Sequence, residues 1–546
     1  MTEASAIEPT AESERLFRHG KVFTGRGEND FATAFRIDEG RFTWVGDAED
    51  IEGEDAVDLA GRVVLPGFLD VHTHPSMMAS LIEFVSLLPP EVLSVGAVQD
   101  ALRSHPAYGS GPGSWILGFG FDEMWFTDEK RKPTVHDLDT VSRTQPILIR
   151  RCDGHTVVCN SVALALAGID DDTPDPDGAI IHRDADGRLT GALSELAAIN
   201  LVDSLIPRPS LAEQAQRLAS LNEHFLSRGI VGVDDLYATF DHKDPLAMYR
   251  TAASEGFVPQ SGLYLGWTDL VDGANGGEVA DLTDEQRTGR IRVAGVKLLM
   301  DGAFSDRHAW LEDPYPDSCS HGSRVVSDEE LLRAVAWSRR NHVQVAVHAM
   351  GDRAINQVIS LLEDQEPWMG ELPSVRIDHA SLFTPQMIDR IETARMSFGV
   401  ISHTIFYFAE YESYKQNLSA EQLPHAYPIR SFYEKATHAA LASDSPATSW
   451  ADADNVFISI RAAVDRRSHN GGDLGQDQAI TVPQAVLLYT GRASTVAPFE
   501  SLGTIAPGAE GTFVVLDRDL FTIPTAEIGD VTVAETWVAG EQVWRA

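Results

Sequence analysis

The feature that most constrains the fold is the alternation of short apolar runs with amphipathic helical patterns. Segments such as SDEELLRAVAWSRRN and TPQMIDRIETA separate most of these runs. Strands that alternate with helices favour a parallel sheet, and eight such units predict a (β/α)₈ barrel in an α/β protein. The eight runs are, in chain order, the one that ends at Val71, then GIVGVDDLY, VPQSGLYLGW, RIRVAGVKLLMDG, VQVAVHAMGD, SVRIDHASL, MSFGVISH and HAALASD.

Both ends of the chain have a different pattern, in which short strand-like runs are joined by Gly and Asp turns. These runs lie in residues 15–65 and again in 495–546, so we expect one composite β-sandwich built from both ends. Residues 66–494 would hold the barrel, interrupted over about 76–207 by an inserted segment that we expect to form a lid. The acidic, polar residues 1–14 are predicted to be a disordered lead.

The acidic composition argues against two kinds of partner. The chain has 43 Lys and Arg against 82 Asp and Glu, a net charge of −39. Nucleic acid and anionic membrane surfaces would both be repelled by this charge. No apolar run reaches the length of a membrane span, and the N-terminus lacks a signal-peptide pattern, so we expect a cytoplasmic protein. A homodimer is compatible with the sequence, and whether the acidity reflects adaptation to salt stays open.

Polar side chains follow the carboxyl ends of several predicted strands. His72 and His74 end the first strand, and residues two apart on a strand face the same side, so both imidazoles can meet one cation. Later strand ends carry Lys297, His348, His379 and Asp444. In a barrel all these ends converge on one mouth. Imidazole and carboxylate ligands suit zinc or a similar divalent ion, so the pattern predicts a metal site.

Each of these residues also has a structural explanation that the sequence leaves open. The histidines can be packed or hydrogen-bonded core residues. Lys297 can extend to the rim from an inward position, and Asp444 can serve the turn SDSP. Such explanations account poorly for the joint occurrence of these side chains at successive strand ends.

Longer motifs resemble those of the amidohydrolase superfamily, in the branch that contains N-substituted formamide deformylases and related metal-dependent hydrolases. VLPGFLDVHTH is similar to the first-strand metal motif of that family, and the resemblance covers about residues 16–546. The other matching segments are WILGFGFDEMW, PTVHDLDTVSRTQPILIRRCDGHTVVCNSVAL, DGRLTGALSE, GVKLLMDGAFSDRHAWL, VHAMGDRAI, RIDHASL and SDSP.

The resemblance implies a role for each residue at the predicted mouth. His72 and His74 would bind the more buried metal, and Asp444 would ligate it and act as the general base. His348 and His379 would hold a second metal.

Lys297 matches a position that is carboxylated in many binuclear members of the family. A carboxylated lysine carries a negative head that can bridge two cations, whereas an ammonium would repel them. The expected cofactor is therefore one or two divalent ions per chain, with zinc favoured. A one-metal site that uses fewer ligands stays open.

Three polar residues of the insertion are candidates for binding substrate. His155 lies in CDGHTVVCN, Asp122 in GFDE and Glu195 in TGALSE, and all three segments match the branch. These side chains would line the pocket or orient the substrate. Asp122 and Glu195 can instead bond neighbouring backbone. Asn160 is expected to cap a helix that begins at Ser161.

The resemblance implies hydrolysis of an amide-type C–N bond outside peptides in a small molecule, with an N-substituted formamide or another N-acyl amine as the favoured substrate. Alternatives on the same site are an N-acyl amino acid deacylase, a cyclic amide hydrolase and an esterase. The shape of the pocket, and not the set of metal ligands, separates these activities. The alternative from another class is a non-catalytic metal-binding protein on the same scaffold.

Overall fold

The structure is a computed structural model that describes residues 14–50, 56–152, 154–176, 179–239, 244–274 and 277–546. The lead expected over residues 1–14 lies outside these ranges, except for Glu14. The chain divides into two compact units. The first comprises the chain up to Met77 together with Ala215–Asp444 and Asp454–Ala546, and the second comprises Met78–Gln214 and Ser445–Ala453.

A sheet of eight strands forms the barrel of the first unit, which confirms the fold class expected from the sequence. Each predicted run coincides with one of its strands, although the first strand extends two residues beyond the predicted end at Val71. Neighbours along the chain are neighbours in the sheet, paired in parallel. The strands are β1 (Phe68–Thr73), β2 (Ile230–Leu236), β3 (Gln260–Gly266), β4 (Ile291–Leu299), β5 (Gln344–Ala349), β6 (Val375–His379), β7 (Phe398–Ser402) and β8 (His438–Leu441).

A loop segment fills the seam between β8 and β1. The amide of Leu441 in β8 donates to the carbonyl of Leu488 at 3.0 Å. The amide of Leu69 in β1 donates to the next carbonyl, that of Tyr489, at 2.9 Å. These bonds satisfy backbone groups that an open sheet edge would leave exposed, so the sheet is nearly closed.

The helices of the first unit follow the barrel strands, and their ends carry the sequence signals expected of helix termini. Ser327 caps the helix Asp328–Asn341 in a capping box with Glu330, and Arg339 and Arg340 lie in its last turn, where the helix dipole favours positive charge. The other α-helices of this unit are Asn222–Ser227, Pro245–Ser254, Trp267–Gly273, Asp284–Arg287, Asp352–Leu362, Pro385–Thr393, Thr404–Ala409, Tyr411–Asn417, Ile429–Lys435, Val456–Asp465 and Val482–Leu487. Pro75–Ser80 and Leu211–Ser220 each span a boundary between the units.

Strands from both ends of the chain share a sheet, as the sequence predicts. Val63–Pro66 pairs with Phe513–Leu516 on one side and with Lys21–Phe23 on the other. The remaining strands of this six-stranded sheet are Phe31–Ala32, Val533–Val538 and Glu541–Arg545. A second sheet contains Arg15–Arg18, Ala34–Asp38, Arg41–Gly46 and Ala56–Asp58. A buried aromatic cluster that includes Phe17, Phe35 and Phe513 joins residues of both sheets.

The second unit has its own sheet and its own hydrophobic cores. Its strands are, in sheet order, Ile180–Arg183, Leu189–Ser194, Thr156–Cys159, Ile147–Arg151, Ile116–Phe121 and Val85–Ser86. Its α-helices are Val95–Ser104, Val135–Asp139, Ser161–Leu166 and Leu196–Asp203. Asn160 caps the third of these, because its side chain accepts from the amide of Ala163 at 3.0 Å, which confirms the predicted cap. None of the helices in the described ranges is long and apolar enough to cross a membrane.

Candidate metal centre

The carboxylate of Asp444 lies at the centre of the polar cluster that the barrel strands bring together. Its Oδ1 is 2.8 Å from Nε2 of His74 and 3.2 Å from Nε2 of His72. Its Oδ2 is 3.8 Å from Nδ1 of His379. His72, His379 and Asp444 are buried, and His74 retains some exposure. His72 of β1 and His74, which directly follows β1, therefore converge on one point, as the spacing of two residues predicts.

Two of these residues have left-handed backbone conformations that few side chains adopt. His379 has a φ of 69° at the end of β6, and Asp444 has a φ of 54° shortly after β8. Non-glycine residues in this region are uncommon and cluster at functional sites, because the surrounding structure must hold them there. The amide of Asp444 donates to the carbonyl of His72 at 2.8 Å, which fixes the turn that carries the carboxylate.

A second carboxylate, Asp378, lies on the other side of His72. Its Oδ2 is 3.0 Å from Nδ1 of His72 and 3.4 Å from Nζ of Lys297. Its Oδ1 is 3.4 Å from Nε of Arg376, and all four side chains are buried. Burial alone would raise the pKa of Asp378, but the charges of Arg376 and Lys297 outweigh it and hold that pKa well below its usual range. Burial lowers the pKa of Lys297.

His348 lies next to His379, with ring centroids 4.2 Å apart. Its Nε2 is 3.7 Å from Oδ1 of Asp301, a buried residue whose carboxylate accepts from the amides of Met350 and Gly351. Burial, aided by the nearby charge of Lys297, lowers the pKa of His348 to about 3. This imidazole is therefore neutral near pH 7, which is the form that binds metals.

One further histidine of the cluster was not among the residues predicted from the sequence. His403 directly follows β7 and is fully buried. Its ring centroid is 4.9 Å from that of His72 and 4.7 Å from that of His379. The sequence does contain the signal, because the apolar run MSFGVISH ends in this histidine. The runs of β5 and β6 likewise carry His348 and His379 near their ends.

The ligand atoms of these side chains form two groups, each with its members within 4.8 Å of one another. One group is His72, His74 and Asp444, and the other is His72, His379 and His403. In the described part of the chain, Nδ1 of His379 and Nε2 of His403 are buried and have no hydrogen-bond partner. A buried polar atom without a partner is costly, and a cation would satisfy these nitrogens. The donor set therefore fits a divalent metal.

The ionisation states of the cluster also suit a cation. Burial alone would raise the pKa of Asp444, but the charges and hydrogen bonds of His72 and His74 hold it well below its usual range. Asp444 is thus a carboxylate at neutral pH. Lys297 and His348 lie beside the two groups of ligand atoms without belonging to either, so their predicted roles as ligands stay predictions.

His155 and Glu195, two of the residues expected to bind substrate, lie together in the second unit. Nδ1 of His155 is 3.4 Å from Oε2 of Glu195, and the side chains are 52% and 42% exposed. Glu195 has a φ of 68° directly before the helix Leu196–Asp203. Both side chains are thus accessible and held by one another.

Asp122 belongs to the same unit, but it is buried and its hydrogen-bond partners are residues other than His155 and Glu195. Its Oδ1 accepts from the amide of Met124 at 3.0 Å and from Nη2 of Arg151 at 3.1 Å. Its Oδ2 accepts from Oγ of Ser449 at 2.8 Å. Both carboxylate oxygens of Asp122 therefore already accept hydrogen bonds from protein groups, one of them from the neighbouring backbone. A contact between this residue and substrate stays a prediction.

The family model of the amidohydrolases matches residues 55–544, which is most of the chain. The chain belongs to the amidohydrolase family. Membership makes it a hydrolase and agrees with the resemblance seen in its motifs.

Two relatives match this amidohydrolase over nearly its whole length. Amidohydrolase YtcJ of Bacillus subtilis (strain 168) is 28% identical over 97% of this chain and 99% of its own. The N-substituted formamide deformylase of Arthrobacter pascens is 27% identical over 96% of each chain.

A solved structure shares the fold. An uncharacterized metal-dependent hydrolase from Pyrococcus horikoshii OT3 superposes with a TM-score of 0.73 at 23% identity, over 94% of this chain and 99% of its own.

Proposed function

We propose that this amidohydrolase is metal-dependent and cleaves an amide-type C–N bond, outside peptides, in a small molecule. The observation that carries the proposal is the convergence of His72, His74 and His379 on the buried carboxylate of Asp444. An N-substituted formamide or another N-acyl amine is the proposed substrate. The relative that is named an N-substituted formamide deformylase supports this choice.

The residues that would hold the metal are His72, His74, Lys297, His348, His379 and Asp444. A divalent ion bound there supplies a Lewis acid that polarises a carbonyl and makes water more acidic. His348, whose pKa burial lowers to about 3, offers a neutral imidazole with no proton to displace. We propose zinc, at one or two ions per chain, because imidazole and carboxylate donors suit it.

Asp444 would act as the general base. An aspartate is ionised at neutral pH, so it can take a proton from the attacking water. The oxygen of that water forms a bond to the scissile carbonyl carbon, and the C–N bond then breaks. Asp444 would hold the proton at Oδ2, the oxygen that faces His379, and return it to the leaving nitrogen.

Lys297 would carry a carboxylate on its Nζ and bridge two ions. The support for this role is the resemblance, together with the position of Lys297 on β4 and its burial. An unmodified ammonium about 4 Å from a divalent cation is repelled by several kcal/mol at the effective dielectric of a partly buried site.

Substrate contacts outside the metal centre are proposed for the second unit. His155 and Glu195 form an accessible pair that could donate to and accept from an amide. Asp122 is the less exposed candidate. We further propose a cytoplasmic location, a small molecule as the ligand and, as one assembly to test, a homodimer.

The experiment that tests the substrate class is a panel assay of the metal-loaded protein. The panel contains N-substituted formamides, longer N-acyl amines, N-acyl amino acids, cyclic amides, ureas, lactones and simple esters, each near its solubility limit. We expect the highest kcat/KM on a formamide or a short N-acyl amine, with loss of turnover in Asp444→Asn. Turnover confined to esters and lactones would contradict the amide proposal. Metal binding without turnover of any compound would favour a non-catalytic metal-binding protein.

A further inference from the structure

We propose that His403 is a ligand of the metal, through its Nε2, in addition to the ligands that the family resemblance implies. The inference rests on the proposed metal dependence, and His403 lies outside the motifs that carry the family resemblance. Its place in the barrel is the first argument. Ser402, the last residue of β7, is in register with His379 of β6 and with Leu441 of β8. His403 therefore leaves the sheet between the strand that carries one ligand and the strand that leads to Asp444.

The hydrogen bonding of the ring decides which nitrogen is available. Nδ1 of His403 is 3.1 Å from the carbonyl oxygen of Ala442. A carbonyl can only accept, so Nδ1 carries the proton and Nε2 presents a lone pair. Metal-binding histidines commonly donate their other ring nitrogen to a carbonyl or carboxylate in this way. Ala442 precedes Asp444 by two residues, so the same short segment positions both groups.

Nε2 of His403 is a buried lone-pair donor without a hydrogen-bond partner among the described residues. The side chain is completely buried, and within the described ranges no hydrogen-bond donor or acceptor meets this nitrogen. Phe406 stacks on the ring at 5.1 Å between centroids and shields one face from water.

The spacing of the neighbouring imidazoles is close to what one ion requires. Nitrogens that share one zinc ion at about 2.1 Å each lie about 3.4 Å apart in tetrahedral geometry. The ligand atoms of His72, His379 and His403 are within 4.8 Å of one another, so each pair of nitrogens must approach by at most about 1.4 Å to share one ion. The three rings thus form a buried tri-histidine arrangement at the ends of β1, β6 and β7.

Two substitutions separate a ligand from a packed core histidine. Asparagine places its side-chain amide near the position of Nδ1, so His403→Asn can keep the bond to Ala442 but cannot reach the metal. Glutamine is longer, so His403→Gln can place an oxygen near the position of Nε2. The matched control is His438→Asn, because His438 begins β8 at the opposite end of the same sheet and is only partly buried.

The test is a titration of the metal-stripped full-length proteins with Co²⁺, followed by visible absorption, with circular dichroism as the check of folding. Removal of a group that merely supports a ligand costs about 10- to 100-fold in metal affinity. We expect His403→Asn to weaken Co²⁺ binding at least about 100-fold, His403→Gln to weaken it less, and His438→Asn to match the wild type. X-ray absorption of the zinc-loaded proteins should show one imidazole ligand fewer per protein chain in both His403 variants than in the wild type.

Wild-type Co²⁺ affinity in a folded His403→Asn protein would overturn the proposal. If that variant does not fold, the zinc spectrum of His403→Gln decides, and an unchanged imidazole count would overturn it. A wild-type protein that binds no Co²⁺ or Zn²⁺ would instead contradict the proposed metal dependence, so the two failures are distinguishable.

Discussion

Nδ1 of His72 lies 3.0 Å from Oδ2 of Asp378, and both side chains are buried inside the barrel. This contact directs the other ring nitrogen, Nε2, toward Asp444, where it lies 3.2 Å from Oδ1. A carboxylate behind a histidine fixes the orientation of the ring and increases its basicity as a ligand. Asp378 is in turn held by Arg376, so the orientation of His72 depends on a network within β6.

Asp378→Asn is therefore expected to weaken metal binding about 10- to 100-fold while the ligands themselves remain. The amide has nearly the same size but lacks the charge that orients the ring of His72. The measurement is the Zn²⁺ affinity of the stripped protein, determined by competition with a chromophoric chelator. Wild-type affinity in the folded variant would show that Asp378 has no influence on the centre.

Asp444→Asn should keep the fold and most of the metal but lose about 10²- to 10⁴-fold in kcat, because an amide cannot accept a proton from water. The control is Asp454→Asn, since Asp454 is a buried aspartate that pairs with His224 and Arg228 instead of with the metal centre. Its substitution should affect stability more than the chemical step. Near wild-type turnover in metal-loaded Asp444→Asn would remove this residue from the mechanism.

Lys297 is expected to carry a carbamate in the metal-loaded protein. Protein loaded with metal in ¹³C-bicarbonate should show a protein-bound carbamate signal by ¹³C NMR, and Lys297→Ala should lack it. The same variant should contain less metal, and short-chain carboxylic acids should partly restore its activity by occupying the vacated bridge. Two well-occupied ions beside an unlabelled lysine would contradict this account.

The strand pattern could be predicted from the sequence because periodicity is a local property, and each of the eight predicted runs overlaps a barrel strand. The full set of side chains at the metal centre could not be predicted from the sequence. Asp378 and His379 are adjacent, so strand alternation places them on opposite faces. Both nevertheless approach the centre, because His379 leaves strand geometry with a φ of 69°. That conformation depends on tertiary packing and has no signature in the sequence.

Ion pairs between strands that are distant in the sequence are a second feature that could not be predicted. Arg376 of β6 and Asp234 of β2 are completely buried, with Nη1 and Oδ2 2.6 Å apart. Neither residue stands out in its own run, and only the closed barrel brings them together. His403 is a different case, because its position at the end of a predicted run could have been noticed in the sequence.

Asp454 should contribute to stability in a pH-dependent manner. It is buried and contacts Nε2 of His224, and its Oδ1 is 3.1 Å from Nε of Arg228. Burial alone would raise the pKa of Asp454, but the contacts with His224 and Arg228 have the larger effect and lower that pKa to about 2. Because the folded pKa lies below the unfolded value of about 3.9, this stabilisation is present above pH 4 and is lost as the pH falls toward 2.

Asp454→Asn should thus lower the free energy of unfolding by roughly 2–3 kcal/mol at pH 7 and flatten the loss of stability between about pH 4 and 2. Denaturant unfolding at several pH values measures both effects. Asp284→Asn is the control, because Asp284 pairs with Arg287 at the surface, where ion pairs contribute little. Equal acid sensitivity of the wild type and Asp454→Asn would contradict the assignment.

The most direct test of the central claim is metal analysis combined with activity on a single preparation. The purified protein is analysed for divalent ions, stripped with a chelator, assayed on its best amide substrate and reloaded with Zn²⁺. The account predicts one or two ions per chain, loss of turnover on stripping and recovery on reloading. A stripped protein that contains no divalent metal and retains full activity would contradict it.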